Sequence, residues 1–257
     1  MVNSNKYKTL FLSDIHLGFN GCQSERLESF LDSVEADKIF LVGDIVDLWS
    51  MKEKFYWPKS HQRVIDKLNF LQSNGTEIKY ISGNHDDPLR DKELTKSLGE
   101  KKYPYKGIIS TLKSFNPAES DVLQSEKYGN ILIIHGDQYD VVTSNAKWIS
   151  KIGGTIYDFL ISINRPLSKY LKRLTKNIVN KAGNFQKSIK NECLNGGYNG
   201  LMCGHIHKPE IKRFDDYLYL NTGDWIESCT AIVEGNDDTL SLIQFDENNE
   251  VKIINSL

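Results

Sequence analysis

The sequence predicts an α/β fold with parallel strands in its N-terminal half, and two observations carry that prediction. Five short runs rich in Ile, Leu, Val, Phe and Tyr each end in a polar cluster: "TLFLSDIH", "KIFLVGDIVD", "IKYISGNHD", "ILIIHGD" and "GLMCGHIH". Runs this short and this apolar read as buried strands. Helix-like stretches lie between the first three, and strand–helix–strand alternation implies a parallel sheet. In such sheets, active groups gather beyond the carboxyl ends of the strands, where all five polar clusters fall.

Taken in order, the first strand is followed by "SERLESFLDSV", in which Leu27, Phe30, Leu31 and Val34 share one helical face. After the second strand, "SHQRVIDKLNFLQSNG" groups Val64, Ile65, Leu68 and Leu71 and stops before Gly75, a usual helix-ending residue. From about Thr143 to Leu194 the pattern becomes helical, interrupted at Gly153–Gly154 and Arg165–Pro166. Strand-like runs return in "YLYLNTGDW", "CTAIVEG" and "TLSLIQFDE". No internal repeat is visible. A chain of 257 residues suits one domain, 1–257, with the helical segment 143–194 inserted in it.

Charge is unevenly placed. Residues 147–190 hold eight Lys and two Arg against Asp158 alone, in a chain whose net charge is −2. That split suggests a segment that meets an anionic partner, with a solvated helical face as the alternative. The four cysteines stand far apart without a C-x-x-C pair, which suits a reducing cytosol rather than a disulfide framework. The N-terminus lacks a signal-peptide pattern, and no apolar stretch approaches the roughly 18 residues of a membrane span.

Five of the six histidines sit in the strand-end clusters: His16, His85, His135, His205 and His207, with Asp14, Asp44 and Asn84 beside them. One such histidine would be an ordinary hydrogen-bonded residue. Five converging on one sheet edge with two carboxylates would be poorly solvated without a cation. A pair of divalent metals answers that, and mixed N/O ligation suits Mn, Fe, Zn or Ni. In D-x-H (Asp14, His16) and H-x-H (His205, His207), extended backbone would send both side chains to one face. In "LMCGHIHKP", Cys203 reads as the last apolar residue of its strand rather than a third ligand. Gly43 and Gly83 allow tight turns beside Asp44 and Asn84.

The ordered set D-x-H, G-D-x-x-D, G-N-H-D, H-G-D and G-H-x-H resembles the calcineurin-like binuclear metallophosphoesterases over residues 9–233. That resemblance implies a sandwich of mixed β-sheets flanked by helices, with the helical insertion as a lid. By motif, Asp14, His16, Asp44 and His207 would hold one metal. Asp44, Asn84, His135 and His205 would hold the other, with Asp44 bridging. A metal-bridging hydroxide would attack phosphorus in line, with Asn84 and His85 facing the phosphate and Asp86 orienting His85. His85 would act either as proton donor or as a fixed positive charge. Asp47 is expected to support the site or the fold rather than hold a metal. A non-catalytic scaffold on the same fold would be expected to have lost ligands, and here every position is filled.

"SDIHLG", "GDIVDLW", "GNHD", "HGDQYD", "GHIHKP" and "NTGDWIES" together look like the UDP-2,3-diacylglucosamine diphosphatase branch of that family. The branch implies hydrolysis of a UDP-linked diacyl sugar to UMP and 2,3-diacylglucosamine 1-phosphate, in lipid A assembly. It also implies Mn²⁺, with Zn²⁺, Fe²⁺ or Ni²⁺ as alternatives, and a cytoplasmic location at the inner face of the inner membrane. The partners are then an anionic lipid-linked nucleotide-sugar and a membrane surface. Nucleic acid is disfavoured, because aliphatics outnumber aromatics among the basic residues of the insertion. By position, Asp140, Asn145, Lys169 and Lys172 are candidate substrate contacts. Asp224 and Trp225 could line the site, with core packing as the alternative for Trp225. The chain departs from the best-known members at His85, where they carry Arg, and in the spacing after "HGD". The alternative activity is a phosphodiesterase or phosphatase acting on a nucleotide, phospholipid or nucleic acid.

Overall fold

Alternation along the first two strands sets the layers. In the computed structural model, which describes residues 5–86, 89, 105–139, 185 and 187–257, β1 spans Asn5–Leu12 and β2 spans Val34–Val42. Leu10, Leu12, Ile39 and Leu41 join one buried cluster, while Phe11, Phe40 and Val42 join another. A period of two therefore gives this sheet two buried faces, as expected where strands read as near-continuous apolar runs. The rings of Phe11 and Phe40 stack across the strand pair, with centroids 5.2 Å apart.

The first face is covered by helices α1 (Ser24–Ser33), α3 (Lys59–Ser73) and α4 (Tyr105–Ser114). Leu27, Phe30 and Leu31 of α1, Val64, Ile65 and Leu68 of α3, and Ile108 and Leu112 of α4 supply that layer. Full burial of such a side chain contributes about 2 kcal/mol. A short helix, α2 (Leu48–Glu53), follows β2, and the Asp47 side chain caps it by accepting from Ser50 N. Val34, grouped with α1 in the sequence reading, instead opens β2, where it pairs with Asn5.

The second face packs on another sheet. Strands β3 (Glu77–Ile81), β9 (Thr230–Glu234), β10 (Leu240–Phe245) and β11 (Val251–Ser256) complete the first sheet, in the order β11-β10-β9-β1-β2-β3. The other sheet has β4 (Ser120–Ser125), β5 (Gly129–Ile134), β6 (Gly200–Cys203), β7 (Glu210–Arg213) and β8 (Leu218–Asn221), in the order β4-β5-β6-β8-β7. Ile131, Ile133, Met202 and Leu220 meet Phe11, Phe40 and Ile81 between the sheets. Both sheets are mixed: β1–β2–β3 and β5–β6–β8 are parallel, and β9, β10, β11, β4 and β7 pair antiparallel. This is the expected sandwich of mixed sheets flanked by helices.

The chain divides into two compact units, residues 1–135 with 198–257, and residues 136–197. In the second unit the described residues are a 3₁₀ turn, Asp137–Tyr139, and helical residues 185 and 187–196, with Tyr139 and Phe185 in edge contact. No helix among the described residues is long and apolar enough to cross a membrane.

Candidate metal centre

The strands carrying the five polar clusters end at Leu12, Val42, Ile81, Ile134 and Cys203, and the chain turns there rather than running on. Asp14 (φ 50°), His16 (φ 54°), Asp44 (φ 54°), His205 (φ 66°) and His207 (φ 51°) all adopt left-handed backbone. The expected extended D-x-H and H-x-H segments are therefore not extended. Each left-handed residue costs about 1 kcal/mol or more. Cross-strand bonds hold the turns: Asp14 N donates to Gly43 O (3.0 Å), His16 N to Asp44 O (2.9 Å), Trp225 N to Asp14 O (3.0 Å) and Gly204 N to His135 O (3.1 Å). The curl brings residues two apart onto the same centre by a different route from the one their spacing suggests.

Two donor clusters hold expected ligands, Asp14 with His16 and His207, and Asp44 with His135 and His205, and His16 also groups with Asp47 and His85 in a third. Within each cluster the ligand atoms lie within 4.8 Å of one another. His207 Nε2 is 3.2 Å from Asp14 Oδ1, and His135 Nε2 is 3.2 Å from Asp44 Oδ2. His16 Nε2 stands 3.9 Å from both Asp14 Oδ1 and Asp44 Oδ2, so Asp44 reaches both clusters. Asp14, His16, Asp44 and His135 are buried. Asp14 Oδ1, His16 Nε2 and the Asn84 side-chain oxygen are buried with no well-formed hydrogen bond. Buried polar atoms are normally satisfied, and the carboxylate and imidazole atoms here also lie within their donor clusters. The residues fit divalent cations held by N and O ligands.

The supporting bonds aim these atoms. The other Asp14 oxygen, Oδ2, accepts from Ser13 Oγ and from His205 N at 2.9 Å, and Ser13 in turn contacts Thr222 Oγ1. His135 Nδ1 lies 2.9 Å from the Val42 carbonyl, which requires a proton on Nδ1 and frees Nε2 as a ligand atom. Asn221 Nδ2 donates to Gly204 O (2.7 Å) and its Oδ1 accepts from Gly223 N (3.0 Å), pinning the turn that carries His205. Sequence reasoning missed Ser13, Asn221 and Thr222, whose trace was their place inside "SDIH" and "LNTGD". Gly43 has φ 81°, as its turn role required. Gly83 acts differently: a Cβ there would collide with the Asp44 carboxylate.

One expectation is corrected. Asp86 does not orient His85. It is fully buried, and its carboxylate accepts from Val46 N (2.9 Å), Gly83 N (3.1 Å) and Ile45 N (3.2 Å). Consecutive residues in the turn send Asp86 inward and His85 outward. The carboxylate beside His85 is Asp47, whose Oδ1 is 3.0 Å from His85 Nδ1, while its Oδ2 is 3.8 Å from His16 Nδ1. Burial disfavours a charged His85, but Asp47, with Asp44 and Asp86 further off, raises it to about 9. Burial likewise pushes Asp44 and Asp47 up. The imidazoles of His135 at Asp44, and of His16 and His85 at Asp47, outweigh it and hold both carboxyls well below the usual range. His85 N also donates to Asp44 Oδ1 (2.8 Å).

Asp140, Asn145, Lys169 and Lys172 lie outside the described residues, as do the basic residues from Lys147 to Lys176. Trp225 is fully buried against Phe30, 5.0 Å between ring centroids, so it packs the core. Asp224 accepts from Ile226 N and Glu227 N and closes the turn after β8. Cys203 is buried as the last residue of β6, outside both donor clusters. A cavity of about 570 Å³ lined by Lys127, Tyr128, Arg213 and Tyr217 lies at the opposite ends of β5, β6 and β8 and takes no part in this centre.

The calcineurin-like phosphoesterase family model matches residues 7–209, a span that contains every residue of these donor clusters. The chain belongs to that family. This phosphoesterase is therefore a metal-dependent hydrolase, and its donor clusters are candidate metal-binding groups. It is similar to the UDP-2,3-diacylglucosamine hydrolase of Wigglesworthia glossinidia brevipalpis, 25% identical over 253 residues that cover 92% of this chain and 94% of that one. The Haemophilus influenzae protein of the same name is 22% identical over 238 residues, covering 87% and 93%. The Porphyromonas gingivalis protein of that name is 35% identical over 99 residues, covering 36% and 37%.

Proposed function

We propose that this phosphoesterase hydrolyses the pyrophosphate of UDP-2,3-diacylglucosamine, giving UMP and 2,3-diacylglucosamine 1-phosphate, as a step in lipid A assembly. The observation that carries the reading is the meeting of two donor clusters at Asp44, beside His85. Relatives bearing that name, similar over most of the chain, support the substrate.

Asp14, His16, Asp44 and His207 would hold one divalent cation, and Asp44, Asn84, His135 and His205 the other. Mn²⁺ is the proposed ion, with Zn²⁺, Fe²⁺ and Ni²⁺ as competitors for the same N/O donors. When bound, such ions neutralise phosphate oxygens and make water more acidic. The remaining work falls to the chain. Asp47 holds His85 by Nδ1, leaving Nε2 to donate to a phosphate oxygen as negative charge grows on it. In the reaction, the oxygen of water bonds to one phosphorus, the bond from that phosphorus to the bridging oxygen breaks, the bridging oxygen leaves with the other phosphate, and the two protons of water pass to the two product phosphates or to solvent. Buried Asp14 and Asp44 keep their charge at neutral pH and hold the ligand framework fixed through the reaction.

In this reading the chain is one phosphoesterase domain acting at the cytoplasmic face, and the positive charge of segment 143–194 suits an anionic lipid substrate and membrane. His85 in place of Arg favours a second reading, a related nucleotide-linked or phospholipid ester. One experiment separates them: Mn²⁺-loaded protein incubated with UDP-2,3-diacylglucosamine and a panel of nucleotide-sugars, with products identified by mass. UMP and the diacylated sugar phosphate are the expected products. Cleavage of other esters only would move the assignment to the second reading. The Asp44→Ala variant is expected to lose both metal and activity, read by metal analysis and turnover; a metal-replete, active variant would overturn the shared-ligand assignment.

A further inference from the structure

Helix α2 meets the turn after β3 at two points. Its capping residue, Asp47, reaches the His85 ring, with Oδ1 3.0 Å from Nδ1. Two residues further on, Trp49 donates its indole N–H to the Asn84 backbone oxygen at 2.8 Å. Trp49 is not among the donor residues of the metal clusters. The helix is seated in the core by Leu48 and Met51, both buried, while Trp49 is half-buried. At 3.6 residues per turn, Leu48 and Met51 share a face and Trp49 stands about 100° round from Leu48. The core thus anchors the helix and leaves the indole to the turn.

The Asn84 carbonyl is one end of a peptide group whose other end is the His85 N–H. That N–H donates to Asp44 Oδ1 at 2.8 Å. The group is therefore held at both ends, by Trp49 at its oxygen and by Asp44 at its hydrogen. A peptide group is planar, so its soft rotations are ψ of the residue before it and φ of the residue after it. Those two dihedrals set how the Asn84 and His85 side chains stand relative to each other. Asn84 Oδ1 is buried with no well-formed hydrogen bond, and His85 stands against Asp47. Each side chain needs its own direction, and one peptide plane governs both.

We propose that Trp49 is a positioning residue for the phosphoesterase reaction. Its indole N–H fixes the Asn84–His85 peptide, and through it aims the Asn84 amide oxygen at a cation and His85 at the phosphate. The role runs through those two side chains rather than through contact with substrate. Losing the donor leaves a partly enclosed carbonyl short of a partner, and an oxygen that swings toward water turns the peptide with it. The inference rests on the metal-dependent phosphoesterase reading and not on the lipid substrate.

The test removes the donor and keeps the shape. In the full-length protein, Trp49 is replaced site-specifically by 3-benzothienylalanine, which has sulfur in place of the indole N–H. A second protein carries 5-fluorotryptophan there, which keeps the N–H. Three quantities are read: kcat and KM for a chromogenic phosphodiester with Mn²⁺, the calorimetric Mn²⁺ titration of chelator-stripped protein, and the melting temperature in chelator. The benzothienyl protein should lose roughly tenfold in kcat with KM near normal, and one of its Mn²⁺-binding steps should weaken by a similar factor. Its melting temperature in chelator should match the wild type, and the fluorinated protein should match the wild type in all three. Wild-type kcat and titration in the benzothienyl protein would overturn the proposal. So would equal losses in both substituted proteins, which would make Trp49 a packing residue. The diester and the titration are read whether or not UDP-2,3-diacylglucosamine is cleaved, so the substrate reading and this one can fail separately.

Discussion

Asp47 and Asp86 show how far neighbouring carboxylates can differ in what they do. Both lie at strand ends, but Asp47 faces His85 and His16, while Asp86 is spent on three backbone N–H groups. Removing the Asp47 charge should therefore act through His85. We expect Asp47→Asn to lower kcat by roughly 10- to 100-fold with near-normal metal content, since supporting partners of functional histidines are typically worth about that much. Metal analysis alongside steady-state rates checks it, and an unchanged kcat would remove Asp47 from the positioning role. This distinction was not legible in the sequence. In a straight strand, Asp47 would point away from Asp44, three positions earlier, and only the left-handed turn at Asp44 brings both to one centre. The donor clusters themselves were legible, because imidazole and carboxylate side chains concentrated at five strand ends have few structural uses.

At the scale of elements, helix α3 steadies the turn after β1, which carries Asp14 and His16, through His61, whose Nδ1 accepts from Gly18 N. That bond needs the neutral imidazole, and burial lowers His61 to about 4 from an ordinary 6.5. The unfolded chain thus takes up this proton first as pH falls. Stability from this group is complete above 6.5 and is lost between there and about 4, by on the order of 2 kcal/mol. The low-lying carboxyls of Asp44 and Asp47 add a loss only further down, below the ordinary 3.8. Urea unfolding at a series of pH values should show that slope in the wild type and a flatter one in His61→Gln, whose amide oxygen can still accept from Gly18. Equal slopes would mean that His61 is not the titrating group. The core strands and the two long helices were legible from periodicity. The edge strands β4, β7 and β11 were not, because "SDVLQS", "EIKR" and "VKIINS" carry mixed polarity and become strands only by pairing with β5, β8 and β10.

For the whole molecule, a cation held by the donor clusters would also fasten the two sheets together. The clusters draw on residues that follow β1 and β2 of one sheet and β5 and β6 of the other, and Asp14 Oδ1 and His16 Nε2 are buried there with no well-formed hydrogen bond. Binding to the native state alone should stabilise it by about 2.7 kcal/mol when free metal is 100-fold above Kd. A thermal melt with Mn²⁺ should therefore lie several degrees above one in chelator, and Asp44→Ala should abolish the difference. Equal melting temperatures with and without Mn²⁺ would count against a cation joining the sheets. Residue identity and period were enough to read which motifs end strands, the apolar faces and the donor residue types, since each of those is written within a few neighbouring positions. Packing decided the rest: the left-handed turns and the exchange of Asp86 for Asp47 beside His85. Those depend on how Phe11, Phe40, Ile133 and Met202 seat one sheet on the other and bring distant strand ends together, a long-range outcome that local spacing does not encode.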